Sequence, residues 1–400
     1  MKEPKIRFKG FRGEWEKKKL GAMTSVRGGY AFQSSLFQKS GIPVVRISNI
    51  LSNGNVGGDF VYYPRLDGDT NITIHEKDVV IAMSGATTGK IARVDVGDGI
   101  LYQNQRVGLF TKTGKVDYDF LYTVLNRPHF NELLNKLLTS SAQPNASSAD
   151  IESIEMEFPE DAEEQKALSN YILSLDSLIQ STTKKIESLK QIKAASLQAM
   201  FPQEGETVPK LRFKGFEGEW EKVRASNVFK TFNEKNRPDL PVLSATQDRG
   251  MVTRESIGYN IFHDKSNEAT YKHILPGQFI IHLRSFQGGF AHSSIEGIAS
   301  PAYTIMEFKD KTRHFDLYWK YIFVSKEFIK RLELITYGIR DGRSISFEEF
   351  SEMYFTVPSY EEQKKIASYI TILDRQISLQ TQRLEKLKQI KAACLDNMFV

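Results

Sequence analysis

Apolar residues recur at alternating four- and three-residue intervals in two long stretches of the chain. The first holds Leu168, Ile172, Leu175, Ile179, Ile186 and Leu189, the second Ile366, Ile370, Leu373, Ile377, Leu384 and Leu387. A polar residue interrupts each stripe once, Thr182 in the first and Gln380 in the second. Neither stretch contains Gly or Pro before Phe201 or the last residue, and Pro159 and Pro358 stop the segment just upstream. The spacing predicts two helices of about 40 residues, roughly 60 Å each at ~1.5 Å per residue. An a/d stripe sustained that far predicts a coiled-coil seam, with the two helices as partners. The first helix leads from one domain to the next and the second starts there, so the pair is expected to run antiparallel. The expected shape is a dumbbell with a pseudo-two-fold axis across the rods, its last residue Val400 back beside the first domain. Two core helices of separate domains would produce the same stripe.

The remainder is organised around these helices by repetition. "LKQIKAA" occurs at Leu189–Ala195 and at Leu387–Ala393. Glu164-Gln165-Lys166 matches Glu362-Gln363-Lys364, and "RFKGF.GEWEK" starts at Arg7 and again at Arg212. The order is therefore A-H-A′-H′: domain 1–158, helical spacer 159–208, domain 209–358 and helical spacer 359–400. Residues 24–150 and 226–350 share an outline more than residues. Short apolar runs (Pro43-Val44-Val45; Pro241-Val242-Leu243), paired strands around a polar loop (Asp78–Ala92; Gln278–Ala291) and helical stretches (Phe120–Leu138; Leu317–Leu334) give an α+β domain in each copy. The expected fold class is α+β, with two mixed domains joined by two long antiparallel helices. One scaffold with two sets of loop chemistry is the pattern of two binding modules of different specificity.

Composition narrows the chemistry. The net charge of +5 and pI near 8.9 are compatible with nucleic acid without specifying it. The single cysteine, Cys394, excludes a disulfide framework and any Cys-rich zinc site. "MKEPKIRFKG" has no apolar leader region and no stretch reaches the apolar length of a membrane span, so a soluble, cytoplasmic chain is expected. "GATTGK" (Gly85–Lys90) has three residues between its glycines and Ile91 after the lysine, where a phosphate loop needs four residues and a Ser or Thr. The glycines of "FKGFRG" (Phe8–Gly13) recur in the second copy, where Phe8, Phe11 and Trp15 have counterparts that fix the start of a domain on its core. The seven histidines are scattered, with no His-Glu-x-x-His. No Asn/Asp-Pro-Pro-aromatic tetrapeptide and no Ser/His/Asp set can be assembled. No catalytic residue, metal ligand or cofactor is expected in this chain.

The variable–conserved–variable–conserved order, the Pro-Glu-Gln-Lys approach to each helix, the "RF.GF.GEW" start of each variable region, and "GIPVVRISNI", "SGATTGK" and "SSAQPN" in the first domain resemble the DNA specificity subunits of type I restriction–modification systems. The second domain departs from the pattern with "RSFQGG" and "YGIRDGRSIS". The resemblance implies a non-catalytic subunit whose two target recognition domains each read one half of a gapped double-stranded DNA site. It implies two modification subunits that use S-adenosylmethionine to methylate adenine, and restriction subunits that use ATP and magnesium. Polar loop residues are the candidate base contacts: Ser84, Thr87, Thr88, Gln103, Asn104, Gln105, Gln143 and Asn145 in the first domain, and Arg284, Ser285, Gln287, Arg340 and Arg343 in the second. Asn and Gln pair bidentately with adenine and Arg with guanine. Lys90, Arg46 and Arg106 are assigned to phosphates, which position the duplex without specifying it. A stand-alone DNA-binding regulator and a protein-binding coiled-coil scaffold remain as alternatives.

Overall fold

Chain contacts group into two units, Met1–Thr183 with Arg383–Val400, and Lys184–Gln382. The computed structural model describes residues 3–141, 145–203, 205–246, 249–257, 265–282, 289–335 and 345–400. In chain order the first unit contains Glu16–Lys19 (β1), Leu20–Met23 (α1), Val26–Arg27 (β2), Ile42–Val45 (β3), Val61–Tyr63 (β4), Thr73–Ile74 (β5), Val79–Ala82 (β6), Ile91–Arg93 (β7), Leu101–Gln103 (β8), Val107–Phe110 (β9), Tyr118–Leu125 (α2), Pro128–Ser141 (α3), Ser148–Ser153 (α4) and Glu155–Phe158 (β10). Ala162–Ala199 (α5) follows and continues into the second unit. That unit contains Glu221–Arg224 (β11), Ala225–Val228 (α6), Phe229–Phe232 (β12), Leu243–Thr246 (β13), Gly250–Thr253 (β14), Lys272–Ile274 (β15), Phe279–Ile281 (β16), Phe290–His292 (β17), Gly297–Ala299 (β18), Thr304–Phe308 (β19), Asp316–Phe323 (α7), Lys326–Ile335 (α8), Phe347–Ser351 (α9) and Tyr354–Val357 (β20). Tyr360–Asn397 (α10) begins there and ends in the first unit.

Both units have the α+β make-up, and the same sheet recurs in them: β2-β9-β6-β7 in the first, β12-β19-β16-β17 in the second. Side-chain alternation explains why its central strands are continuously apolar. Val79 and Ile81 of β6 face one core cluster while Val80 and Ala82 face another. In β16, Phe279 and Ile281 likewise face one core and Ile280 the other. The first unit adds a mixed sheet, β4-β3-β8-β5, in which β3 and β8 run parallel with Val44 opposite Tyr102. Each domain is closed by a two-stranded ribbon that ties its first strand to its last, β1 to β10 and β11 to β20.

The long helices are antiparallel within each unit. In the first, Lys391 of α10 holds Asp176 of α5 at 2.5 Å; in the second, Lys193 of α5 holds Asp374 of α10 at 2.5 Å. In the second unit Ser196 also meets Tyr369 at 3.4 Å, so residue numbers rise on one helix as they fall on the other. The apolar stripe packs on a domain core as well as on the second helix, since Leu387 and Leu395 of α10 join the same cluster as Leu168, Ile172 and Leu175. Leu168, Ile172 and Leu175 are buried in the first unit's main core beside Trp15 and Phe120. Ile366 and Ile370 are buried in the second unit's core beside Trp220 and Tyr318. The start of each helix therefore belongs to the domain that precedes it, because a stripe of Leu and Ile buries equally well against a domain core or a second helix.

The repeated sequence motifs build the same joints twice. Arg7 grips Glu164 through both carboxylate oxygens at 2.7 Å, and Arg212 grips Glu362 at 2.7 and 2.8 Å. The Ile6 amide donates to Asn397 O and the Leu211 amide to Ala199 O, both at 2.8 Å. Gln165 and Gln363 each accept from the backbone at the start of a domain helix (Asp117 N, 2.8 Å; Phe315 N, 2.9 Å) and donate to Pro159 O or Pro358 O. Phe8 meets Tyr171, and Phe213 meets Tyr369, both edge to face. Trp15 and Trp220 are buried in the two cores, as expected of aromatics that anchor the start of each domain.

One half-buried base, His314, is expected to make the second unit sensitive to acid. Desolvation against Phe308 and Trp319, with the charge of Arg313 acting in the same direction, pushes the His314 imidazole from its ordinary 6.5 down to about 4. The unfolded chain takes up this proton near pH 6.5 and the folded chain only near pH 4. Between those values the unfolded state binds more protons, so stability falls as pH is lowered and is unaffected above. Denaturant unfolding at pH 7.5 and 5.0 is expected to show a larger loss for the wild type than for His314→Phe. An equal loss in both would show that His314 carries none of it.

Candidate nucleic-acid interface

Four pieces of the first unit converge at one end of its main sheet: the turn after β2, the turn after β3, the loop between β6 and β7, and the turn between β8 and β9. Backbone hydrogen bonds lace them together. Tyr30 N donates to Gln103 O (2.8 Å), Gln105 N to Tyr30 O (2.9 Å), Asn104 N to Val45 O (3.1 Å) and Met83 N to Arg106 O (2.9 Å). Ala146 N donates to Met83 O at 2.9 Å, which brings Asn145 to the same place. The close approach requires Gly29, because a Cβ there would sit 2.1 Å from Asn104 O. Gly89, at φ +86°, turns the β6–β7 loop where a Cβ would meet Asn131 Oδ1 at 2.7 Å.

This network brings together the first-domain candidates that are described, with different degrees of freedom. Gln105 and Arg106 are exposed at the tip of the β8–β9 turn, and Asn104 and Asn145 are half-buried beside them. Thr88 is half-buried in the β6–β7 loop and donates to Gly85 O at 2.7 Å; Lys90 reaches Ser52 Oγ at 3.1 Å. Ser84 is buried at the start of that loop. Arg46 donates to Asp59 O at 3.2 Å, and Asn49 caps the same turn by accepting from Arg46 N at 3.0 Å. Two polar atoms of the cluster, Arg46 Nε and Thr87 Oγ1, are buried without a hydrogen-bond partner, a state that costs roughly 1–3 kcal/mol per group.

Gln103 corrects the sequence reading. It is 0 % exposed, donates to Arg27 O (2.7 Å) and Val107 O (2.8 Å), and accepts from Arg27 Nε at 3.0 Å. Its amide is fully engaged in bracing the turn and is not free to meet a base edge. Arg27, which sequence reasoning passed over, completes the brace by donating to Thr73 O, and desolvation lowers its pKa from the ordinary value. Tyr30, which sequence reasoning also passed over, is exposed in the turn after β2. Gln143 and the second-domain candidates Arg284, Ser285, Gln287, Arg340 and Arg343 lie outside the described residues. In the chain, 283–288 joins β16 to β17 as Ser84–Lys90 joins β6 to β7. Among the described residues of the second unit, Arg249 is exposed in the turn between β13 and β14, and Arg254 Nη1 is buried without a partner.

Chemically, the cluster supplies amide and hydroxyl groups at a rigid rim, with Lys90 and Arg106 at its edges. Among the described residues no three His, Cys, Asp or Glu side chains come together as metal ligands, and no helix is long and apolar enough to cross a membrane.

Comparison with known proteins places the chain in a family. A family model described as "Type I restriction modification DNA specificity domain" matches residues 12–191 and 217–389, once for each copy of the repeat. The type I restriction enzyme MjaVIII specificity subunit of Methanocaldococcus jannaschii is 29 % identical over 189 residues. That match spans 45 % of this chain and 44 % of the relative, so the chain matches less than half the length of that curated relative. The crystal structure of a type I restriction–modification system S subunit from M. genitalium superimposes with a TM-score of 0.62 at 14 % identity, covering 100 % of this chain and 99 % of the other. The likeness to the solved structure lies in the fold. With the family model covering most of both copies, the chain belongs to the type I restriction–modification DNA specificity domain family.

Proposed function

We propose that this chain is the sequence-reading subunit of a type I restriction–modification complex. Residues 1–158 and 209–358 act as target recognition domains, each reading one half of a bipartite DNA site, and 159–208 and 359–400 act as spacers. The observation that carries the proposal is the pairing of identical joints with unlike loops. The Arg–Glu clamps, the Gln struts and the main sheet are the same in both units. The rim chemistry is not: "SGATTGK" stands in one and "RSFQGG" in the other.

The repeat also duplicates exposed apolar residues. Ile6 and Ile390 in the first unit correspond to Leu211 and Ile192 in the second, and all four are exposed. A surface carried twice by one chain suits two copies of one partner. In this reading two modification subunits dock on these faces, bind S-adenosylmethionine and methylate adenine, and restriction subunits bring ATP and magnesium. Methyl transfer needs the adenine out of the stack, so one protein holds the duplex while another takes the base. The specificity chain contributes recognition and no bond-making group.

The purified chain is expected to bind DNA without transferring labelled methyl groups, and the chain co-purified with a modification subunit to transfer them at one sequence. Methyl transfer by the chain after stringent removal of partners would refute the assignment. Tight sequence-specific binding that no modification subunit alters would favour a stand-alone regulator, and absence of DNA binding in either form would favour a protein scaffold.

A further inference from the structure

An exposed aromatic, Tyr30, sits at the centre of the reading rim. Tyr30 is 45 % exposed, although its backbone is pinned on both sides by Gln103 O and Gln105 N. Its ring stands edge-on against Phe32 at 5.0 Å, and Phe32 lies stacked on buried Tyr102 at 5.6 Å. Phe32 also meets buried Tyr63 at 4.7 Å. Phe32, itself packed on Tyr63 and Tyr102, backs the Tyr30 ring, which remains exposed. The Tyr30 hydroxyl has no partner among the described residues. The ring lies on the same rim as Gln105, Arg106 and Asn104.

We propose that Tyr30 is a base-contacting residue of the first unit, its ring packing against a base face or a thymine methyl group in the half-site that unit reads. This rests on the recognition-domain reading above. The contact is apolar and planar, the chemistry that base surfaces offer and phosphates do not. Its backbone bonds to Gln103 and Gln105 place Tyr30 beside Asn104 and Gln105, so the ring and these amides would address neighbouring positions. The second unit differs at this place. There the turn after β12 carries Glu234 and Lys235, with Lys235 bridged to Lys272, so the ring contact would belong to one half-site only.

The test uses the chain co-purified with its modification subunits, a duplex carrying the site found by methylome sequencing, and a scrambled duplex. Tyr30→Ala is expected to weaken binding to the site by about 10- to 100-fold while leaving the scrambled duplex and the salt dependence unchanged. Tyr30→Phe should bind nearly as the wild type does. Tyr30→Leu keeps the bulk against Phe32 but lacks a planar ring, so it should show the loss where a base face is the contact and retain most of the binding where a thymine methyl group is. Replacing thymines by deoxyuridine in the first half-site separates the two base surfaces: a matching loss identifies the methyl group, and no loss identifies a base face. Equal weakening on both duplexes, or unchanged binding of the Ala and Leu variants to the site, overturns the inference. If the wild-type complex itself fails to distinguish the two duplexes, the recognition-domain reading has failed instead.

Discussion

Arg7→Ala is expected to destabilise the first unit by about 3 kcal/mol, and Arg212→Ala to do the same to the second. The expectation follows from what the substitution leaves behind. Glu164 and Glu362 are each 1 % exposed, and each carboxylate is met on both oxygens by one guanidinium. Removing the arginine strands a buried charge, which costs far more than the net worth of the pair. The arginines themselves are partly exposed, at 16 % each, which places the effect at the lower end of the range for buried pairs. Lysine is a poor substitute because it offers a point charge in place of a planar fork. Arg7 and Arg212 also donate to Gly13 O and Gly218 O, presented by glycines at φ +90° and +80°, and Arg7 donates besides to Arg12 O at 3.1 Å. Replacing either glycine should therefore weaken the clamp without touching a charge. Denaturant unfolding of the single variants measures the effect; a loss below 1 kcal/mol would mean that Glu164 or Glu362 finds another partner or water.

The clamp shows which features were legible in the sequence. Motifs repeated nearly verbatim, such as Arg7 with Glu164-Gln165 and Arg212 with Glu362-Gln363, turned out to be mutually bonded. Repetition exposes residues whose partners are also repeated. Helix bounds were legible for the same reason. Pro159 and Pro358 mark the approach, and α5 and α10 run Ala162–Ala199 and Tyr360–Asn397. What the stripe packs against was not legible, because Leu168, Ile172 and Leu175 would look identical in a coiled coil. Nor was the difference between Gln103 and Gln105, two residues apart. One faces inward to Arg27 and the other outward, and the facing depends on the β8–β9 turn and its contact with Tyr30. Tyr30 was missed because exposure of an aromatic is a tertiary property.

Exchange of one recognition domain carries the largest functional effect. Residues 209–358 replaced by the corresponding segment of a relative with matching helices should change one half of the recognised site completely and leave the other half intact. Physical independence of the readers is the reason. Each has its own core, its own sheet and its own ribbon closing first strand to last. The swapped segment ends at Pro358, so Glu362 stays behind and the donor must supply an arginine at position 212 to hold it. A donor without that arginine should give an unstable chimera, a failure distinct from altered specificity and visible by unfolding. A stable chimera should assemble with the same modification subunits, because Ile6, Ile192 and Ile390 lie outside the exchanged segment and the donor's own lead-in replaces Leu211.

Methylome sequencing of cells that express the chimera with its modification subunit, alongside cells with the parent, reads both halves of the site in one measurement. Every methylated site is expected to keep the half read by residues 1–158 and to carry the donor's sequence in the other half. Methylated sites altered in both halves, or unaltered in both, would contradict it.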